Sequence, residues 1–151
     1  AGLRTAVLRF GIVLAREGGA LAKMTTPVKL GVGGKLGTGR QYYSWIAIDD
    51  AVAAIRHALE NESVSGPVNL VSPQPVTNGE FTKALGRALG RPTLFAVPAF
   101  AARLAFGEMA DELLLASARV EPARLRATGF EFKYPTLDAA LQHLVGGGQD
   151  K

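Results

Sequence analysis

The apolar positions fall into strand-like and helix-like stretches that alternate along the chain. From Arg4 to Leu14 (RTAVLRFGIVL) β-branched and apolar residues occupy both faces, which predicts a strand buried on both sides, as in a parallel sheet. Gly18 to Met24 (GGALAKM) predicts a short helix before Pro27. After a glycine-rich stretch, Gln41 to Ile48 (QYYSWIAI) is aromatic and β-branched and predicts a strand. Alternation along it turns Gln41, Tyr43 and Trp45 to one side and Arg40 to the other.

Asp49 or Asp50 then caps a helix, DDAVAAIRHALENE, with Val52, Ile55, Ala58 and Leu59 on its apolar face. The turn SVSG leads into PVNLVSP, a short apolar strand. Helix, turn and strand together read as a βαβ crossover, the unit of a parallel sheet. Thr77 and Glu80 have capping-box spacing. Phe81, Leu85 and Leu89 mark the face of the helix they open, and Gly90 with Pro92 ends it. TLFAVP predicts another strand, and Pro98 opens a helix containing Phe100 and Leu104, with Leu113 to Leu115 further on and Gly107 interrupting. A short helix lies between Pro122 and Gly129. A last one is capped by Thr136, with Leu137, Ala140, Leu141 and Leu144 inward, before a frayed tail, GGGQDK.

These elements imply an α/β fold class: the remnant of a doubly wound parallel sheet beside a small helix-rich lobe. The 151 residues form one region, since no linker or internal repeat divides them. Hydrophobic residues make up 48% and charged residues 20%, a globular composition. No apolar run is long enough for a transmembrane helix, the first ten residues lack the succession of a signal peptide, and cysteine is absent. These point to a cytoplasmic protein without disulfides or thiolate chemistry. The net charge is +4, but the basic residues are scattered and no aromatic residues interleave with them, which argues against nucleic acid.

The stretch Lys29 to Gln41 (KLGVGGKLGTGRQ) raises the question of phosphate binding. A Walker-type loop needs a hydroxyl residue after Gly34-Lys35, and Leu36 stands there. A dinucleotide fingerprint begun by Gly31 and Gly33 also meets Leu36 at its third glycine. The next element in the chain is a strand, so no helix N-terminus succeeds the loop in sequence. Two readings remain: a turn, or a loop bordering a ligand cleft with Arg40, Gln41, Tyr42, Tyr43 and Trp45 beside it. Glu108, Asp111 and Glu112 read as a solvated acidic face, with no histidine to complete a metal set. His57 and His143 have no catalytic partner in sequence view. Trp45 is a core anchor or a substrate wall.

Several strings resemble a known family. They are VLRFGIVLAREGGAL, GGKLGTGRQYYSWIAIDD, SGPVNLVSPQPVTNGEFTKALGRALGRP and PARLRATGFEFKYPTLDAAL, with G-x-G-x-Q-x-x-x-W-I-x-x-D-D (Gly37 to Asp50) the most specific. They are similar to the C-terminal half of atypical extended short-chain dehydrogenase/reductases of the nucleotide-sugar epimerase-like type, from about Arg4 to Leu144. The resemblance implies a substrate-binding region, residues 1–151, whose dinucleotide-binding N-terminal half is absent. It implies NAD(P) in the parent protein and no cofactor binding by this chain alone. Gly11, Ile12 and Val13 would lie beside the nicotinamide. Gly37, Arg40, Gln41, Tyr43 and Trp45 would border the substrate.

No catalytic residue and no metal ligand is assigned. The family's Tyr-x-x-x-Lys pair has no counterpart, because Ile46, Ala47 and Asp138 stand four residues after the three tyrosines. Related sugar-nucleotide enzymes carry an arginine two residues after the glutamine, and here that residue is Tyr43. The expected partners are a small-molecule substrate and either the missing half or a second copy of the chain, with no nucleic acid and no membrane. The alternative is a stand-alone ligand-binding or interaction module without catalysis.

Overall fold

A computed structural model of the chain describes residues 4–146; the remainder of the expected tail, 147–151, lies outside them. The element order is β1 (Ala6–Phe10), β2 (Ile12–Leu14), α1 (Gly19–Lys29), β3 (Tyr42–Tyr43), β4 (Trp45–Ala47), α2 (Ile48–Glu60), β5 (Gly66–Leu70), β6 (Val76–Thr77), α3 (Asn78–Leu89), α4 (Ala99–Phe106), α5 (Ala123–Ala127) and α6 (Leu137–Leu144). A single π-turn, Ala110–Leu114, comes after α4. Among the described residues no helix is long and apolar enough to cross a membrane.

The α/β class and the parallel pairing stand, but each long predicted strand is divided. Arg4 to Leu14 breaks at Gly11. β1 runs parallel to β5 with Ala6 opposite Gly66 and Phe10 opposite Leu70. β2 runs parallel to β4 with Ile12 opposite Trp45. Gln41 to Ile48 breaks at Ser44, so β3 instead pairs antiparallel with β6. The crossover through α2 therefore joins strands of different ladders. β1 is not buried on both faces. Ala6 and Leu8 pack on the cluster of Val68, Leu70 and Leu125, while Val7 and Phe10 are about half exposed. β5 covers one edge of β1 and the α2/α5 layer one face, so the opposite face is left open.

Other elements depart from their predictions for local reasons. α1 runs through Pro27 to Lys29, so the proline lies within its last turn instead of ending it. α2 has Ala47 as N-cap and no side-chain cap; Asp50 is buried and accepts the backbone N–H groups of Lys133 (2.8 Å) and Tyr134 (2.9 Å). The buried face of α2 is Ala51, Ala54 and Ala58, small enough for the helix to lie close against β2 and β4. Val52 and Leu59, expected inward, are exposed. Of TLFAVP only Val97 is in β structure, as a bridge to Leu36. Phe100 and Leu104 of α4 face outward, and Ala102 is its buried residue.

The capping box at Thr77 and Glu80, the left-handed Gly90, the Thr136 cap and the inward face of α6 are all present. Two arginines close helix C-termini from a distance. Arg4 donates to the carbonyls of Ala58 and Val64 at 2.8 and 2.6 Å, and Arg16 donates to those of Leu144 and His143 at 2.9 Å. A cation on those free carbonyls is favoured by both hydrogen bonding and the helix dipole. Each also ties a segment near the chain's start to a helix far along it.

Candidate functional site

The break at Gly11 creates the site. Its N–H donates to Leu70 O (3.3 Å), the last rung on the β5 side, while Ile12 N–H donates to Ser44 O (2.8 Å), the first rung on the β4 side. The backbone passes from one ladder to another at this residue. A Cβ on Gly11 would fall inside contact distance of Ser44 O and 2.8 Å from Val71 Cγ1, so the crossing requires glycine. Where the ladders part, at the carboxyl ends of β1 and β5, a crevice of about 370 Å3 opens. Ligands of open parallel sheets bind in this kind of place. Arg9, Gly11, Ile12, Tyr42, Asn69 and Glu112 are among the residues that line it.

The far wall is held by hydrogen bonds from β3 and its neighbours. Ser44 Oγ donates to Ala118 O and accepts from Val120 N–H, both at 2.8 Å. Tyr42 exchanges bonds with Ser117 Oγ and Ala118 N–H at 3.0 Å, and the Arg119 guanidinium lies 5.2 Å from the centre of its ring. Segment 117–120 is thus fixed beside β3 without secondary structure of its own.

Gln41 and Tyr43 meet on one atom. The Gln41 amide donates to Leu114 O at 2.8 Å and the Tyr43 hydroxyl donates to the same oxygen at 2.7 Å. Asn78 Nδ2 donates to the Tyr43 hydroxyl at 3.0 Å. Burial pushes the Tyr43 phenol well above its ordinary range, with the Asn78 and Gln41 hydrogen bonds opposing weakly. It therefore keeps its proton at neutral pH. Together these bonds pin the end of the π-turn, the turn that carries Glu112 to the crevice.

The structure also places the remaining expected residues. Gly11 and Ile12 line the crevice, and Val13 pairs with Ile46 in the adjoining ladder. Tyr43 lines it while its ring packs edge-on to Phe81 in the core. Trp45 is fully buried and its indole N–H donates to Gln74 O at 2.6 Å. Gly37 donates to Val97 O on the side of the glycine loop, and Arg40 is exposed. Arg9, Asn69 and Glu112 were not expected here. Arg9 and Asn69 stand opposite each other in the ladder register, which appears only once β1 and β5 are paired. Glu112 lines the crevice, while its neighbour Asp111 pairs with Arg103 at 3.0 Å.

The glycine stretch does meet a helix N-terminus in space, that of α3. Its N–H groups are already taken: Gly79 donates to Gly39 O (2.9 Å), Asn78 to Gln41 O (2.8 Å) and Glu80 to Thr77 Oγ1 (3.2 Å). No donor is left there for an anion.

Comparison with known proteins sets this arrangement in context. A family model described as a domain of unknown function, DUF1731, matches residues 97–144. An epimerase family protein of Mycobacterium leprae is 48% identical over 143 residues, 95% of this chain and 47% of the relative. The mouse epimerase family protein SDR39U1 is 46% identical over 143 residues, 94% of this chain and 48% of the relative. The chain thus spans about half the length of the curated relatives it matches. The crystal structure of human SDR39U1 with NADPH superposes with a TM-score of 0.88 at 40% identity, over 95% of this chain and 48% of that one. A nucleoside-diphosphate sugar epimerase of Corynebacterium glutamicum gives 0.73 at 34% identity, over 95% and 26%.

Proposed function

We propose that this chain, which corresponds to the C-terminal part of an extended short-chain dehydrogenase/reductase of the epimerase family, forms the substrate side of an NAD(P)-dependent oxidoreductase or epimerase-like protein and is not catalytically complete by itself. The observation that carries this reading is the parting of two parallel ladders at Gly11, which leaves bare backbone on the wall of a crevice.

The residues fit one part of a dinucleotide. Peptide groups of Gly11, Ile12 and Val13 would form the wall beside the nicotinamide, whose chemistry is hydride transfer when bound. The glycine loop does not fit the pyrophosphate, because its neighbouring helix N–H groups are occupied. Most of the cofactor would therefore be held by the other half of the parent protein. Val7 on the open face of β1, and Phe10 half exposed at its carboxyl end, offer apolar surface for that half or for a second copy.

On the substrate side, Arg9, Asn69 and Glu112 would meet the small molecule directly. Gln41 and Tyr43 would act through Leu114 by holding the turn that bears Glu112. Trp45 supports β4 from within the core, and Gly37 and Arg40 flank the loop. Tyr43 stands where related enzymes offer an arginine to a diphosphate, and it is buried and neutral. The reading favours a substrate other than a nucleotide sugar.

NADPH titration followed by nicotinamide fluorescence tests this, with the chain alone and with the complementary half of an epimerase family relative added. No saturable signal alone and a saturable one in the mixture are expected. Micromolar binding by the chain alone would overturn its incompleteness. Co-eluting halves that leave the fluorescence unchanged would overturn the cofactor role of the crevice.

A further inference from the structure

A second cavity, sharing no lining residue with the crevice, lies between α1, α3, α4 and the glycine stretch. Its volume is about 250 Å3. Met24 and Val28 of α1, Leu85 of α3 and Phe106 of α4 form its walls, with Leu36 and Val97 also on its lining. No charged residue lines it. Thr82, 4% exposed, supplies the polar side chain on its wall.

Small residues keep the space open. Ala101, partly buried, and Ala105, at the exposed rim one turn on, line it from α4, where a phenylalanine at 105 could fold over the opening. Gly33 and Gly34 form the loop side. A Cβ on Gly34 would collide with Phe95 O, and one on Gly33 would stand 2.7 Å from Val28 Cγ2. The glycines thus let the loop lie against α1 on one side and against segment 95–97 on the other, with Leu36 bridged to Val97. This gives the glycine-rich stretch a physical role: it builds a wall.

We infer that this cavity is a binding site for an uncharged aliphatic chain of a soluble molecule, with one hydrogen-bonding group in reach of Thr82. The chemistry of the walls selects the ligand class. Burying a phosphate or carboxylate among these side chains would leave the charge without a partner, which is strongly unfavourable. Water is a poor occupant for the same reason, since it needs two or more polar partners. Enclosed apolar cavities of roughly 150 Å3 take up benzene. This pocket, about 250 Å3 and open to solvent on one side, has room for a longer aliphatic group. A free chain and the tail of a larger substrate share that chemistry. The inference does not depend on the cofactor reading, because the two sites are built from different residues.

The test is a methyl-resolved NMR titration of the chain with 1-decanol. Saturable shifts are expected at Met24, Val28, Leu36 and Leu85, with none at Val52 or Leu59 on exposed α2. Ala105→Phe should weaken binding by about tenfold or more with the amide spectrum preserved, while Leu104→Ser, on the outer face of α4, should leave it unchanged. Ala101→Leu serves the same purpose if Ala105→Phe does not fold. Equal shifts on α2, or full binding by a folded cavity-filling variant, would overturn the site. If neither variant folds, the wild-type titration decides: no saturation up to the solubility limit of decanol overturns it. Co-sedimentation with phosphatidylcholine vesicles, lost in Ala105→Phe, would overturn the assignment to a soluble molecule.

Discussion

The Tyr43 hydroxyl donates to the carbonyl oxygen of Leu114 at 2.7 Å, across 71 residues of sequence. That bond joins β3 to the π-turn, and the Gln41 amide doubles it. Both side chains, expected to border the substrate, also hold a crevice wall in place.

Tyr43→Phe removes this donor and leaves Asn78 Nδ2 without its acceptor. A loss of about 1–3 kcal/mol is expected from urea unfolding, the cost of losing a buried hydrogen bond and orphaning its partner. If Gln41→Leu shares the same support, the double variant will deviate from additivity.

The raised phenol also sets a pH dependence. The folded state holds the Tyr43 proton more tightly than the unfolded state, where it leaves near pH 10. Its contribution is fully present below that pH and is lost as pH rises further, at up to about 1.4 kcal/mol per pH unit. Ultraviolet titration should find the Tyr43 phenol ionising only with unfolding.

Gly11→Ala places a methyl against Ser44 O and Val71. Overpacking of that order costs about 1–3 kcal/mol. The urea midpoint should fall, and amide shifts should concentrate at Ile12, Ser44 and Val71. An unchanged midpoint would mean that the ladders do not meet so closely.

Asp50→Asn retains one acceptor but turns an amide donor toward a backbone N–H at Lys133 or Tyr134. About 2–3 kcal/mol should be lost, typical of a buried charged acceptor. Asp49→Asn, on the partly exposed neighbour, should cost much less. Hydrogen exchange at Lys133 and Tyr134 should accelerate in the first variant and not in the second.

Trp45 is the one tryptophan, fully buried. Its emission should be blue-shifted, resistant to iodide, and unmoved by any ligand of the crevice. Quenching by such a ligand would return it to the substrate wall.

Ile48, Val52 and Leu59 fall on one side of α2 and are exposed. If the complementary half or a second copy covers this side, Val52→Lys with Leu59→Lys should abolish the complex in sedimentation without lowering the urea midpoint of the free chain. A concentration-independent monomer in the unsubstituted chain would remove the reason for such a surface.

Local chemistry was legible without any coordinates. The capping box of Thr77 and Glu80, the Gly90 stop, the Thr136 cap and the inward face of α6 depend on interactions within a few residues, so their spacing is enough. The strand character of residues 6–10 and 12–14 and the parallel class were readable from β-branched runs for the same reason. Gly11 and Ile12, expected by resemblance beside a cofactor, line the crevice.

What the chain alone did not reveal was where strands change partners and which face of a helix finds a neighbour. Nothing near Gly11 or Ser44 in sequence says that each divides a strand between ladders; the pairing residues lie far along the chain. Asp50 looked like a cap until the segment at Lys133 brought two N–H groups to it. Val52 and Leu59 of the expected α2 stripe face outward, while Ala51, Ala54 and Ala58 form the face that meets the sheet. Glu112 and Asn69 share a crevice only through a turn anchored on Gln41 and Tyr43. Periodicity encodes how a segment can bury one face, whereas the identity of the neighbour is settled when distant segments compete for the same surface.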